Sequence, residues 1–440
     1  MPDTYSRSDV RRVVTASLIG ATIEWYDFFL YGAVAGIVFN KLFFPTADPF
    51  VSILLAYTTF AIGFVARPLG GLVFGHFGDR IGRKSVLVAT LMIMGVATVL
   101  IGCLPTYEQI GILAPILLVI LRLAQGIGLG GEWGGAVLMA YEYAPKGKRG
   151  LYASIPQIGL AVGLCLSAGI VALLSRLPDE DFLTWGWRSA FIGSILLVLV
   201  GLYIRLRIIE TPEFQRVKDR KAEAKVPAIE MIQQYPGNIL LGMGARYIDG
   251  VFFNVFAVFS IAYLTQMAPV KMPRETALWA VSASALLMVL TIPLFGWLSD
   301  RIGRPRTYAI GSFLLALSAY PAFALLGTGD VVMIFLALLV PFGIIYAMCY
   351  GPEAGLFADL FDARVRYSGI SFVYQFSGIF ASGLTPIIAT YLIKANDNQP
   401  WYLVGYVVFA ALVSMICALA IQRRAAASPE GRAAMITARP

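Results

Sequence analysis

Residues Gly75–Lys84, GHFGDRIGRK, return as Gly296–Arg306, GWLSDRIGRPR, with Asp79 and Asp300 at the same place, 221 residues apart. A second echo pairs KRGLYAS with VRYSGIS, so that Glu142 answers Asp359, Arg149 answers Arg366 and Ser154 answers Ser371, at an offset of 217. Two echoes at nearly one spacing indicate a chain built from duplicated halves. In the first copy, Gly78 and Gly82 permit a tight reversal between helices, while Asp79, Arg80, Arg83 and Lys84 can cap helix ends and pair with charges at the base of a neighbouring helix. A single basic loop would mean only solvation; repetition at corresponding positions argues for a device.

The segments that these loops join are apolar. Of the 440 residues, 58% are hydrophobic and 14% charged, and the mean hydropathy is +0.76, far from soluble averages. Runs long enough to cross the hydrocarbon layer as helices fall near 15–39, 51–75, 85–104, 112–141, 151–175, 187–208, 238–267, 276–298, 307–327, 331–352, 368–393 and 401–421. The expected fold is an all-α membrane protein of twelve spans in two six-helix halves, since lipid offers no partner to exposed backbone and the alternation of a barrel is missing. The expected domains are 1–203, a 204–237 linker, 238–422, and a 423–440 tail. The first run is too long and too acidic for a removable signal peptide, so it is expected to stay as the first span.

The net charge of +8 invites a nucleic-acid reading, but the 34 Lys and Arg segregate by side. The N-terminus, alternate loops and the C-terminus hold 25; the intervening loops hold Lys41, Arg176, Arg188, Lys271, Arg274 and Lys394; Arg67, Arg122 and Arg246 fall inside spans. That asymmetry places both termini in the cytoplasm and makes the basic charge a topology signal, with the lipid bilayer, not nucleic acid, as partner. The four cysteines fall within spans without metal spacing and read as apolar filler.

GHFGDRIGRK and its repeat resemble the signature loop of the major facilitator superfamily, and RLAQGIGLGGEWGG resembles that superfamily's Arg-bearing fourth helix. Together with IEWYDFFLYG, ARPLGG and VRYSG, they resemble the metabolite:proton symporter family within it, which includes bacterial shikimate, α-ketoglutarate, citrate and proline/betaine carriers. The resemblance covers about Thr15 to Arg423 and implies two six-helix bundles rocking about a central site in alternating access, in a bacterial inner membrane. The 422–440 tail has no heptads, a departure from the osmosensing proline/betaine carriers and their C-terminal coiled coil.

Charges inside spans suggest where the chemistry lies. Glu24 and Asp27, three apart, share a helical face with Phe28 and Tyr31. An acid at mid-bilayer costs roughly 2.5–3.5 kcal/mol on insertion scales, so the face is expected to turn inward unless Glu24 merely snorkels from a helix end. Two neighbouring carboxyls in a poorly solvated site do not both ionise easily, so one is expected to hold a proton near neutral pH. Arg122 needs a counter-ion, for which Asp27, Glu24 and Glu132 are candidates; its release would free Arg122 for an anionic cargo, the competing reading being a permanent structural pair. These four form the candidate proton-coupling set. Arg246 and Asp249, 222 residues beyond Glu24 and Asp27, are candidates for the substrate, with Arg246 gripping a carboxylate or else satisfied by Asp249. Tyr26, Tyr31, Tyr57, Gln157, Tyr346 and Gln375 are further polar candidates that packing alone would also explain. Gly126, Gly130 and Gly134 form a stripe for close helix approach. Asp79, Arg83, Glu142 and Arg149, with Asp300, Arg304, Asp359 and Arg366, form a candidate cytoplasmic gate of individually weak pairs.

A membrane-embedded enzyme is disfavoured, because the sole histidine, His76, lies in the tight loop and no HExxH, GxSxG or nucleotide-binding P-loop appears. The expected function is proton-coupled uptake of a small polar metabolite, an organic acid by preference, without a cofactor. The alternative is proton-independent facilitation or exchange. Two complete halves in one chain make a monomer sufficient.

Overall fold

The computed structural model describes residues 7–46, 48–81, 83–130, 133–142, 144–145, 147–207, 227–362 and 365–427. Among them the secondary structure is helical, with no strand. The first half comprises α1 (Arg7–Val34), α2 (Pro49–Ile81), α3 (Arg83–Cys103), α4 (Leu113–Gly130 and Trp133–Glu142), α5 (Arg149–Leu174) and α6 (Trp187–Arg207). The second comprises α7 (Pro236–Met267), α8 (Arg274–Ile302), α9 (Arg304–Leu326), α10 (Val331–Ala358), α11 (Arg366–Ala395) and α12 (Trp401–Ala427). Ten helices among the described residues are long and apolar enough to cross a membrane. Residues 208–226 of the expected linker and 428–440 of the expected tail lie outside the described residues.

Within the first half α1 packs on α5, α2 on α4 and α3 on α6. The halves meet along α5–α8 and α2–α11, two pairs that exchange under the repeat, as a pseudo-two-fold arrangement requires. α7 is 94% buried over its apolar window and α12 only 39%, so α7 is a central helix and α12 a peripheral one. Leu196, Leu240, Leu290 and Leu317 are among the apolar side chains exposed on the outside, a surface suited to acyl chains. Cys349 is buried but Cys103 is exposed at the end of α3, so the reading of all four cysteines as buried filler does not hold.

Two local departures from α-helix repeat with the halves. α1 passes into a π-helical turn at Ala35–Phe39 and α7 into another at Val255–Phe259. Such turns re-aim the side chains around them and often accompany functional sites. They lie on the same helices as the charged pairs picked out in the sequence, about two turns beyond Asp27 and Asp249.

Candidate functional site

The site begins with backbone proximity. At the α2–α4 crossing, a Cβ built on Gly126 would meet the carbonyl oxygen of Gly63 at 2.3 Å, and one built on Gly130 would meet that of Arg67 at 2.0 Å. The glycine stripe is thus a contact seam, and only residues without side chains allow it. Gly134 continues it against Ser371 of α11, in the other half. The seam brings together two arginines, Arg67 of α2 and Arg122 of α4, which are 2% and 0% exposed. A Cβ on Gly63 would lie 2.6 Å from Arg122 Nε, so the missing side chain at Gly63 makes room for this guanidinium.

Both arginines stand on aromatic faces. Arg67 lies 4.1 Å from the Phe28 ring centroid and 4.1 Å from that of Phe64; Arg122 lies 4.3 Å from Phe28 and 4.2 Å from Tyr31. The electron-rich faces attract the cations, by about 2 kcal/mol or more when water is excluded. Neither arginine forms an ion pair among the described residues, and the Nε and Nη2 of each are buried without a hydrogen-bond partner. Arg67, noted in the sequence only as an in-span charge, therefore belongs with Arg122.

Of the three counter-ions expected for Arg122, namely Asp27, Glu24 and Glu132, Asp27 forms no ion pair with it, and the guanidinium instead donates into a chain of polar side chains that ends on the Met94 carbonyl. Arg122 Nη1 donates to Gln125 Oε1 at 3.0 Å, Gln125 Nε2 donates to Thr98 Oγ1 at 2.8 Å, and Thr98 lies beside the Asp27 carboxylate together with Ser194. Asp27 thus faces α3 and α6 inside the first half, while Phe29, two residues on, packs against Phe253 of α7. Phe28 and Tyr31 face the arginines, so the face expected to hold all four side chains divides into two. Glu24 and Asp27 are both buried, 5% and 1% exposed. Glu132 lies outside the described residues.

In the second half Arg246 is engaged by two acids. It lies 3.8 Å from Asp249 and 3.7 Å from Glu353 of α10, with its plane 3.8 Å over the Tyr374 ring. Tyr346 donates its hydroxyl to Asp249. Glu353 escaped the sequence reading, yet it had a signal: GPEAG at 351–355 corresponds to GGEWG at 130–134, placing Glu353 221 residues after Glu132, the spacing of Asp79 and Asp300.

The remaining candidates mostly join elements. Tyr26 donates to the Ala190 carbonyl at 3.2 Å, away from the arginines, and Tyr31 to Thr59. Tyr57 reaches the Val258 carbonyl at 3.5 Å, Gln157 donates to the Tyr350 carbonyl at 2.8 Å and Gln375 to the Gly130 carbonyl at 3.2 Å, so these three tie one half to the other. Gln157 Oε1 and Gln375 Oε1 are buried without partners among the described residues.

This architecture has relatives. Residues 13–235 match the family described as Sugar (and other) transporter, and residues 239–435 match the Major Facilitator Superfamily. The chain is 42% identical over 420 residues to the shikimate transporter of Escherichia coli (strain K12), covering 94% of this chain and 95% of the relative. The chain belongs to the major facilitator superfamily. It is also 43% identical to the inner membrane metabolite transport protein YhjE of the same strain, over 87% of each chain, and 35% identical to its proline/betaine transporter, over 94% of this chain and 84% of the relative. The crystal structure of a D-xylose-proton symporter superposes with a TM-score of 0.72 at 17% identity, covering 94% and 97% of the two chains, a likeness of fold. As a facilitator-superfamily member, the chain is a multi-pass membrane transporter of small molecules and not an enzyme.

Contacts between the halves are made at both ends of the bundle. At the end of the basic loops, Asp300 accepts hydrogen bonds from the backbone amides of Gly150 at 2.7 Å and Leu151 at 3.0 Å. Arg304 pairs with Asp300 at 3.3 Å and with Asp359, which also accepts from the Tyr141 hydroxyl. Arg149 and Arg366 lie over the Tyr141 ring, and Arg366 donates to the carbonyls of Ala358 and Phe361. The side chains of Asp79, Arg83 and Glu142 lie outside the described residues. At the opposite end Arg176 pairs with Glu275 at 2.8 Å and Arg274 with Asp179 at 2.7 Å, while Gln266 donates to the Gly36 carbonyl. The halves are thus in contact at both ends, with Arg67, Arg122 and Arg246 buried between.

Proposed function

We propose that this facilitator couples proton entry to the import of a small organic anion by alternating access, with both termini in the cytoplasm of a bacterium and the chain in the inner membrane. The observation that carries this reading is the pair of buried guanidiniums, Arg67 and Arg122, whose Nε and Nη2 atoms lack hydrogen-bond partners among the described residues. A buried cation without a paired acid is costly, and a carboxylate on the cargo supplies what the protein withholds. The aromatic faces of Phe28 and Tyr31 hold the cations in the meantime. Arg246, with two acids within 4 Å, is a weaker carboxylate ligand than its position in the sequence suggested.

Alternating access then follows from the ends. Asp300, Arg304, Asp359, Arg149 and Arg366, with Asp79, Arg83 and Glu142 by the repeat, act as the cytoplasmic gate, and opening it breaks interfacial pairs of modest individual worth. The likeness to the shikimate transporter supports an acidic cargo. Counterflow in proteoliposomes, loaded in turn with shikimate, 2-oxoglutarate, citrate, proline and an aromatic acid, tests the substrate class. An acid should exchange and the zwitterion should not; exchange of proline alone would overturn the anion reading.

A further inference from the structure

We infer that the coupling proton is held between Asp249 and Glu353 in the second half, with Arg246 as the fixed counter-ion of that pair and not a ligand of the cargo. This deepens the proton-coupled reading above and rests on it.

Glu353 is 0% exposed, and among the described residues neither of its carboxylate oxygens has a hydrogen-bond donor as an ionised group. Its carboxyl lies within hydrogen-bonding reach of that of Asp249. Two carboxylates in contact both accept and neither donates, so the contact is repulsive until one hydrogen lies between them. One proton satisfies the pair, and the remaining single charge is matched by Arg246, 3.7 Å from Glu353 and 3.8 Å from Asp249. The other titratable groups facing the pair are Tyr308 of α9, Tyr346, Cys349 and Tyr350 of α10, and Tyr374 of α11. Tyr346 donates to Asp249 and Tyr308 to the Ala245 carbonyl, so neither hydroxyl supplies the hydrogen that Glu353 lacks.

The location suits coupling. α10 also carries Tyr350, whose carbonyl accepts from Gln157 of the other half, and α7 carries Phe253, packed on Phe29 of α1. Binding a proton forms an O–H bond on one carboxyl oxygen, and release to water on the other side breaks it. Without the proton, two like charges face each other beside one cation. The helices that hold them, α7 and α10, both contact the first half, so the strain of the unprotonated pair acts on the packing between halves.

Asp27 is the control. It sits in the first half beside Thr98 and Ser194, and the hydrogen-bonded chain from Arg122 through Gln125 and Thr98 passes on to the Met94 carbonyl.

The test is to compare Glu353→Gln, Asp249→Asn and Asp27→Asn in purified full-length protein. Infrared difference spectra at neutral pH, which need no cargo, should show a protonated-carboxyl component of the wild type that is lost from both Glu353→Gln and Asp249→Asn and retained in Asp27→Asn. In proteoliposomes, with whichever acid of the panel gives counterflow, Glu353→Gln should lose accumulation driven by an inward pH gradient by more than tenfold while counterflow falls much less. A carboxyl spectrum unchanged by Glu353→Gln, or a component lost in Asp27→Asn alone, overturns the assignment. Wild-type uptake that ignores the gradient would instead overturn the proton-coupled reading itself, and the infrared result separates the two failures.

Discussion

Asp300 of the second half caps α5 of the first through the backbone amide of Gly150, at 2.7 Å. The amides at the start of a helix have no partner within it, and an acid placed there also meets the positive end of the helix dipole. The repeated loop therefore does more than turn the chain, because its acid latches one half to the other.

Asp300→Asn keeps the shape but removes the charge. A favourable, partly buried acid at a helix N-terminus contributes about 1–2 kcal/mol. Removing it should raise the population open at the basic-loop end roughly five- to thirtyfold. Labelling of a cysteine placed on the α5–α8 contact, by a reagent added from that side, measures the change; equal labelling of variant and parent contradicts it.

Gly150→Ala should prop the same end open. Its added Cβ would meet the Gly296 carbonyl oxygen at 2.6 Å and Ser299 Oγ at 2.6 Å, and backbone on the other helix cannot turn aside. The expected outcome is cargo binding retained with counterflow reduced more than tenfold. Retained counterflow would show that α5 and α8 need not approach this closely.

Phe28→Leu removes the ring that both guanidiniums share. Each cation–π contact is worth about 2 kcal/mol or more when desolvated, so thermal stability should fall measurably and the variant should bind cargo on the order of tenfold more weakly. Phe28→Tyr, which keeps the ring, should restore both, and scintillation proximity binding with purified protein reads the affinity.

How much of this was legible in sequence depends on what periodicity can reach. The duplicated halves, the helical membrane fold and the burial of Glu24, Asp27, Arg122, Arg246 and Asp249 followed from repeat spacing and from the cost of charge in lipid. The sector of the helix each residue faces did not follow. Asp27 and Phe28 are neighbours on α1, yet one turns to Thr98 and Ser194 and the other to the arginines, because the packing of α3, α6 and α2 around α1 decides between adjacent sectors. Arg67 was visible as an in-span charge but acquired a setting only from the Gly63–Gly126 and Arg67–Gly130 contacts, which depend on how α2 and α4 cross. Glu353 was recoverable, since the repeat that matched Asp79 to Asp300 also matches Glu132 to it.

Gln125→Leu breaks the only hydrogen-bonded link described between Arg122 and Thr98. Arg122 would then lose its one amide partner, and the buried guanidinium would be less fixed in place, at about 1.5–3 kcal/mol for a hydrogen bond to a charged group. Transport assays should show a raised KM for cargo with an unaltered proton-to-substrate ratio. A changed ratio would draw Asp27 into proton carriage.

Gradient-driven accumulation by the purified wild-type protein bears most directly on the account. With an inward pH gradient imposed across proteoliposomes, the acid found by counterflow should rise inside above its outside concentration, and a protonophore should abolish the rise. Equilibration to equal concentrations, at a rate indifferent to the gradient, would contradict proton-coupled uptake and leave a facilitator or exchanger in its place.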